Sequence, residues 1–381
     1  MQPGERRLAL AGAGVVGVAF GMARFTFGLT LPALRHDPTL SATGLSDPLL
    51  GAIAGGTFAG FLAGIVGAPL LASRRGPRAP TTLGGLCGAL GALLVVLATS
   101  PGVLAAGAVL AGSAAGWVWA PYSDLAAALA RPWVRPGLVS AISTGTSGGL
   151  VLTGVVAVLA GEQWRVVWAT VALASVAAAA LNLAWVPAVD RRTGRRGHAL
   201  PWARLAVPAL FAVVYQAAVA LGFTYAADVA RAAGLAADAR PVLYVIIGVL
   251  GLAGLATGIL AGRLGPRRVA AGCLVVLGIS LALFAVGGRS PVIVLLAAAV
   301  FAPVYLVGAA VLAVWAAAVA PADPGRALSV AMVVGAVGAI VAPVVVGSLI
   351  PVVGLPALLG AAAALVAVVG VVVGILAGQA R

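Results

Sequence analysis

The sequence contains no lysine, and only nine of its 381 residues are acidic. Charged residues make up 8% of the chain against 62% hydrophobic residues, and the mean hydropathy is +1.16. A soluble domain needs far more polar surface than this composition supplies. The composition therefore excludes a soluble globular protein and predicts an integral membrane protein with many spans.

Residues that carry catalysis or bind metals are also scarce. Cys87 and Cys273 fall in apolar segments, and His36 and His198 fall in connections, so neither a disulfide framework nor a metal site is predicted. Without lysine, the chain cannot form the Gly-x-x-x-x-Gly-Lys loop that binds ATP. A membrane-embedded enzyme would need histidine, cysteine or carboxylate groups converging at one depth, and none converge. We therefore predict no cofactor and no enzymatic activity.

Apolar segments bounded by Arg, Pro or Gly recur along the whole chain. At about 30 residues per helix and loop, the length allows about twelve spans. The 52 glycines would weaken soluble helices, but in a membrane they allow close helix contact. The sequence thus predicts an all-α membrane protein with twelve transmembrane helices. Their predicted bounds are 8–34, 48–72, 79–99, 103–128, 137–160, 164–187, 205–227, 240–261, 269–287, 290–319, 327–350 and 353–378.

The arginines are distributed unevenly between the two sides of the membrane. If the N-terminus is cytoplasmic, seventeen of the 23 arginines lie inside, five lie outside, and Arg24 lies within the membrane. This bias predicts a multi-pass protein of the cytoplasmic membrane with both termini in the cytoplasm. The net charge of +14 therefore reflects topology, with the lipid bilayer and not nucleic acid as the partner.

An internal repeat divides the chain into halves. Residues 71–78, Leu-Ala-Ser-Arg-Arg-Gly-Pro-Arg, match residues 260–267, Leu-Ala-Gly-Arg-Leu-Gly-Pro-Arg, 189 positions later. The longest polar connection lies between the sixth and seventh predicted helices. We expect an N-terminal six-helix half at 1–187, a cytoplasmic linker at 188–204 and a C-terminal six-helix half at 205–381.

The chain resembles the major facilitator superfamily in two motifs. The superfamily's loop signature, Gly-x-Leu-Ala-Asp-Arg-x-Gly-Arg-Arg, is visible at 258–267 and more weakly at 69–78, with Gly262 and Ser73 in place of the usual Asp. The opening Gly-x-x-Arg-Phe-x-Phe-x-Leu-x-Leu-Pro at 21–32 resembles the YbfB/YjiJ branch. The resemblance implies a secondary transporter with two six-helix halves, working as a monomer.

In that superfamily the signature loop locks the cytoplasmic helix ends by charge contacts. The resemblance therefore implies a gating role for the loop arginines, with Asp124 as a partner of Arg74 or Arg78. The gate candidates of the two loops are Arg74, Arg78, Arg263 and Arg267.

Arg24 lies about 24 Å along a first helix of about 40 Å, close to the bilayer midplane. A guanidinium at that depth costs roughly 3 kcal/mol even on mild insertion scales, so it should face a partner, a cavity or a substrate. Arg24 either binds an anionic substrate or caps backbone carbonyls where Gly21 and Gly28 loosen the packing.

Other polar and aromatic residues fall near the estimated midplane of helices that line the central cavity in the superfamily. Gln216 is the best candidate for substrate contact, because its amide offers both a donor and an acceptor. Each of these residues can also serve only in helix packing. They are Thr57, Trp117, Thr144, Ser147, Tyr215, Gln216 and Tyr305.

No acidic residue falls near a midplane, which leaves carboxylates at helix ends as candidates for proton coupling. Asp124 is either a gate contact of the arginine loop or a proton carrier. Asp228 precedes Arg231 by three residues, which favours an exposed ion pair over a coupling role.

The sequence therefore predicts a secondary active transporter of a small organic solute, with Arg24 holding an anionic or carbonyl-bearing group and Gln216 and Tyr305 orienting it. The alternative is proton-coupled efflux of amphipathic drug-like compounds, in which Arg24 is structural and Asp124 or Asp228 titrates. A non-transporting sensor is disfavoured, because no soluble domain is appended.

Overall fold

The computed structural model describes residues 2–131, 133–189, 200–237, 239–321 and 324–378. Within these ranges the chain forms twelve helices that are long and apolar enough to cross a bilayer, and no strands. The prediction of an all-α fold with twelve membrane-spanning helices is confirmed. The helices are α1 (Pro3–Arg35), α2 (Asp47–Arg75), α3 (Arg78–Val96), α4 (Pro101–Leu129), α5 (Arg135–Ala160), α6 (Trp164–Trp185), α7 (Trp202–Ala232), α8 (Val242–Leu264), α9 (Pro266–Gly287), α10 (Pro291–Val319), α11 (Pro324–Val353) and α12 (Leu355–Gly378).

Two helices are interrupted where the sequence predicts regular ones. Helix α1 consists of an α-helix at Pro3–Val16, a π-helix at Gly17–Ala23 and a second α-helix at Thr26–Arg35. Helix α8 contains a 3₁₀ segment at Leu252–Ala256. Hydrophobic periodicity could not reveal these changes, because Ala, Val, Leu and Gly cover most faces of both helices.

The repeated loops have the same backbone conformation. Gly76 ends α2 with a φ of +77°, and Gly265 ends α8 with a φ of +83°. Only glycine adopts this left-handed region without steric strain, and the proline that follows each glycine favours the start of the next helix. The repeat thus encodes the same tight turn twice.

The chain forms two compact units. The first contains Met1–Ser46 and Gly56–Arg195, and the second contains Asp47–Gly55 and Arg196–Arg381. Residues 190–199 of the predicted linker lie outside the described part of the chain.

Two ion pairs hold the ends of α1 within the first unit. Glu5 accepts hydrogen bonds from Arg131 at 3.1 and 3.0 Å, which joins the start of α1 to the segment after α4. Asp37, just beyond α1, accepts from Arg165 at 2.9 Å and from the Trp164 indole at 3.1 Å, both at the start of α6. Charge-assisted bonds of this kind fix geometry as well as adding energy.

A buried polar network joins α3, α4 and α6. The Tyr122 hydroxyl donates to Asn182 Oδ1 at 2.7 Å, and Asn182 Nδ2 donates to Thr81 at 3.0 Å and Thr82 at 2.9 Å. The described polar groups of Asn182 therefore have partners, as buried amides require.

Candidate functional site

Arg24 follows directly on the π-helical part of α1. Its backbone N–H bonds to the carbonyl of Ala19 at 3.3 Å, a five-residue step, whereas Phe25 N–H bonds to Met22 at 3.2 Å, a three-residue step. The wide turn and the tight turn together break the α-helical ladder at Arg24. Single π-turns inside α-helices are rare and occur frequently at functional sites.

The π-helical segment packs backbone to backbone against α5. A Cβ atom on Gly17 would lie 2.7 Å from the carbonyl oxygen of Gly145, and one on Gly21 would lie 2.5 Å from that of Thr146. A Cβ atom on Gly149 would overlap the carbonyl oxygen of Gly17. These glycines therefore set the distance between the two helices. The Gly145–Gly149 stretch has a local packing role that its sequence did not predict.

Four phenylalanines surround the Arg24 side chain and form the phenylalanine cage. The guanidinium carbon lies 3.8 Å from the ring centroid of Phe61, 5.2 Å from Phe58, 5.3 Å from Phe25 and 5.5 Å from Phe20. Arg24 is only 5% exposed, and its Nε atom is fully buried. Each such cation–π contact contributes about 0.5–2 kcal/mol, more where water is excluded. The cage offsets part of the cost of burying this charge.

The cage continues into a small recess between α1, α4 and α5. The ring centroid of Phe20 lies 5.4 Å from that of Trp119, which borders the recess. The free space is about 10 Å³, room for roughly one water molecule. The lining residues are Val16, Trp119, Tyr122, Val139, Ile142 and Ser143.

Both hydroxyl groups of this recess already donate their protons. Ser143 Oγ donates to the carbonyl of Val139 at 2.8 Å, and Tyr122 donates to Asn182. The recess can therefore offer acceptor lone pairs and apolar surface, but no hydroxyl donor.

The other predicted substrate residues of the first unit lie in helix contacts between α2 and α4. Thr57 is buried, and a Cβ atom on Gly112 would lie 2.6 Å from its carbonyl oxygen. Half-buried Trp117 covers Gly67, whose added Cβ atom would lie 2.5 Å from the indole. Trp119, not Trp117, contacts the phenylalanine cage.

Two of the predicted residues in the second unit are direct neighbours. The hydroxyl of buried Tyr215 donates to the backbone carbonyl of Tyr305. The Tyr305 ring stacks on Phe301, with centroids 6.0 Å apart, and meets Phe223 edge-on at 5.0 Å. Gln216, next to Tyr215 in the chain, is 8% exposed.

The predicted gate arginines differ in their surroundings. Arg78 donates to the carbonyl of Val186 at 3.1 Å, and Arg267 donates to that of Val373 at 3.2 Å. Arg74 and Arg263 are exposed.

The coupling candidates Asp124 and Asp228 are both half-buried, and Asp228 Oδ2 is a fully buried atom. Among the residues that the structure describes, no three His, Cys, Asp or Glu side chains come together as a metal site would require.

The cage phenylalanines were not predicted as site residues. Their signal in the sequence is clustering, since every phenylalanine before residue 205 lies between positions 20 and 61. Phe20 precedes Arg24 by four residues, a helical neighbour spacing. The contribution of α2 required the tertiary structure.

Solved transporter structures share this fold. The nucleoside transporter NupG superimposes with a TM-score of 0.75 at 13% identity, over 100% of both chains. A D-xylose-proton symporter gives 0.78 at 16% identity, over 97% of this chain and 96% of that one. The peptide transporter POT in complex with sulfate gives 0.79 at 14% identity, over 99% and 94%. At such identities the likeness shows the fold alone.

Sequence comparison gives the family. No curated protein matches the chain. The model of the Major Facilitator Superfamily, however, matches residues 13–263, well over half of the 381 residues. The chain therefore belongs to the Major Facilitator Superfamily, and it is a multi-pass membrane protein that acts as a solute transporter and not as an enzyme.

Proposed function

We propose that this protein is a secondary active transporter of a small organic anion. Arg24 binds the anionic group, and Gln216 and Tyr305 orient the solute. Transport proceeds by alternating access, as two six-helix halves joined by the 188–204 linker rock about the site. The protein lies in the cytoplasmic membrane with both termini in the cytoplasm, as its arginine bias favours.

The main support for this proposal is the phenylalanine cage, which surrounds the Arg24 guanidinium within a membrane-spanning helix. A guanidinium makes cation–π contacts through its face, and its planar fork of N–H groups matches a carboxylate in shape. Buried ionisable groups in membrane helices serve substrate and ion pathways as a rule. The π-turn before Arg24 supports the same assignment, since such turns mark functional sites.

A ligand screen on the detergent-purified protein tests the proposal. Acetate, succinate, benzoate and the cation tetraphenylphosphonium are added to the parent, to Arg24→Gln and to Arg289→Gln, which changes an exposed arginine. We expect at least one anion to raise the melting temperature of the parent and of Arg289→Gln by several degrees, and Arg24→Gln to lose this response. Stabilisation by the cation alone, equal in all three proteins, would refute an anion site at Arg24.

One observation favours the second candidate, proton-coupled efflux of an amphipathic compound. Asp228 Oδ2 is buried, and protonation would remove the charge from this carboxylate. In proteoliposomes, efflux of a fluorescent cation should then depend on a proton gradient and fail in Asp228→Asn. An equal rate of efflux with and without the proton gradient would exclude this mechanism.

A further inference from the structure

We infer that arginines at the start of α1 and after α4, together with one tryptophan, bind the phosphate headgroup of an anionic phospholipid. The proposed headgroup site consists of Arg6, Arg7, Arg131 and Trp133. All four residues belong to the first unit, and the inference does not depend on the identity of the transported solute.

Arg131 is fixed against the first turn of α1. Its Nε and Nη2 atoms donate to the two carboxylate oxygens of Glu5 at 3.1 and 3.0 Å, so the pair is bidentate. Glu5 is 5% exposed, whereas the Arg131 side chain is 38% exposed. Among the residues that the structure describes, Nη1 of Arg131 has no hydrogen-bond partner. The guanidinium is therefore held in place with one nitrogen left for a ligand.

The turn after α4 presents Trp133 beside this guanidinium. Arg135 Nε donates to the carbonyl of Ala130 at 2.9 Å, which closes the turn. The guanidinium carbon of Arg131 lies 5.3 Å from the ring centroid of Trp133, and Trp133 is 74% exposed. Tryptophans at the ends of membrane spans are typical of the headgroup region, because an indole is apolar with one polar N–H.

The headgroup site carries an excess of positive charge. Arg6 and Arg7 directly follow Glu5 in α1, both are exposed, and neither side chain has a partner in the described part of the chain. Glu5 balances one of the three arginine charges, which leaves a net charge of +2. Guanidinium groups bind phosphate through paired, charge-assisted hydrogen bonds.

Apolar surface continues from the headgroup site into the membrane. Leu10 is largely exposed and follows Arg6 by four residues and Arg7 by three, so it lies on the same face of α1 one turn deeper. Leu129, also exposed, ends α4 four residues before Trp133. A free phosphate would gain nothing from these leucines, whereas the acyl chains of a phospholipid can lie against them. Basic residues at the membrane surface beside apolar helix surface favour anionic lipid.

Binding of fluorescently labelled phosphatidylglycerol and phosphatidylcholine to the full-length protein in a neutral detergent tests this site. The two lipids share acyl chains and a phosphate, but only phosphatidylglycerol has a net negative charge. We expect the parent to prefer phosphatidylglycerol about 30-fold, because each of the two excess arginines contributes about fivefold near a membrane surface. Addition of NaCl to about 0.5 M should remove most of this preference, since salt screens exposed charges.

Variants of exposed side chains locate the site. Arg6→Gln/Arg7→Gln should bind both lipids with similar affinity. The matched control Arg74→Gln/Arg75→Gln removes two exposed arginines from the loop after α2 and should keep the preference. Trp133→Ala should weaken both lipids about fivefold and leave the preference unchanged, and Trp133→Tyr should restore most of the affinity.

Three results would overturn the inference. Equal affinity of the parent for the two lipids would mean that no anionic headgroup is selected. An equal loss of preference in the Arg6/Arg7 and Arg74/Arg75 variants would show a general effect of basic loops. Displacement of phosphatidylglycerol by millimolar glycerol 3-phosphate would identify a soluble phosphate, and not a lipid, as the ligand.

Discussion

Arg78 donates a hydrogen bond from Nη1 to the carbonyl oxygen of Val186, 3.1 Å away at the end of α6. Arg267, its counterpart in the repeated loop, donates from Nε to Val373 of α12 at 3.2 Å. Val186 directly follows α6, where the carbonyls have no partner within the helix and a cation complements the helix dipole. Val373 instead lies inside α12, five residues before its last residue, Gly378. The repeated loop therefore contacts α6 in the first unit and α12 in the second.

We expect Arg78→Ala and Arg267→Ala each to lower the stability of the protein by about 1 kcal/mol, because one charged hydrogen bond is lost from a partly exposed site. Melting curves in detergent measure the effect. Arg74→Ala and Arg263→Ala, which change exposed arginines of the same loops, should melt like the parent. Equal melting of Arg78→Ala and Arg74→Ala would contradict the assignment.

Gly149→Ala should be far more damaging than Gly148→Ala. The new methyl group at position 149 would overlap the carbonyl oxygen of Gly17, whereas nothing lies within 4 Å of a Cβ at position 148. Overpacking of this kind costs about 1–3 kcal/mol. Melting temperatures of the two variants provide the comparison, and a parent-like Gly149→Ala would show that α1 and α5 separate at little cost.

The network at Asn182 should respond asymmetrically to mutation. Tyr122→Phe removes one donor and should cost about 1 kcal/mol, while Asn182→Leu leaves the Tyr122 hydroxyl buried without its acceptor and should cost about 2–3 kcal/mol. Asn182→Leu also removes the bonds to Thr81 and Thr82, but both variants remove the Tyr122–Asn182 bond, so in the double variant the two effects should not add fully. Strict additivity in thermal unfolding would mean that this bond contributes nothing.

The ionised carboxylate of Asp37 should make the stability of the folded protein depend on pH. Burial acts to raise the pKa of Asp37, but hydrogen bonds from the Leu40 backbone, Arg165 and Trp164 outweigh burial and hold this pKa below its ordinary value. The folded state thus binds fewer protons than the unfolded state. Ionised Asp37 stabilises the protein above its ordinary pKa of about 4, and this contribution is lost as the pH falls through the lower folded-state pKa.

The test compares the parent with Asp37→Asn in melting experiments from pH 7 to pH 3. The parent should be the more stable at pH 7, and the difference should shrink below about pH 4. Glu162→Gln, at an exposed acid in the connection before α6, should show no such trend. A gap between parent and Asp37→Asn that stays constant with pH would refute the role of ionised Asp37.

The number of helices was predictable because the length of each apolar segment can be counted in the sequence. A segment without charges that is long enough to cross a bilayer has few alternatives to a helix, since backbone groups in lipid must bond within their own segment. The same property hid the interruptions in α1 and α8. Regular and irregular turns there are built from the same small apolar residues, so no periodicity separates them.

Arg24 was identifiable for a related reason. One guanidinium in an apolar segment of 27 residues, 8–34, must be compensated by something, whatever the fold. The sequence indicated only half of the phenylalanines that surround this charge. Phe20 and Phe25 are its neighbours in the chain, whereas Phe58 and Phe61 reach it from another helix.

The sequence by itself thus determined the membrane location, the number of helices, the repeated loop and the need for a partner around Arg24. These follow from hydropathy, charge position and local repetition, which act over a few residues. Only the tertiary structure decided that four phenylalanines supply the cage, that Gly17 and Gly149 allow two backbones to touch, and that Arg78 reaches Val186. Such contacts depend on which helix faces meet in space, and helices of uniform apolar composition carry no local signal of that choice.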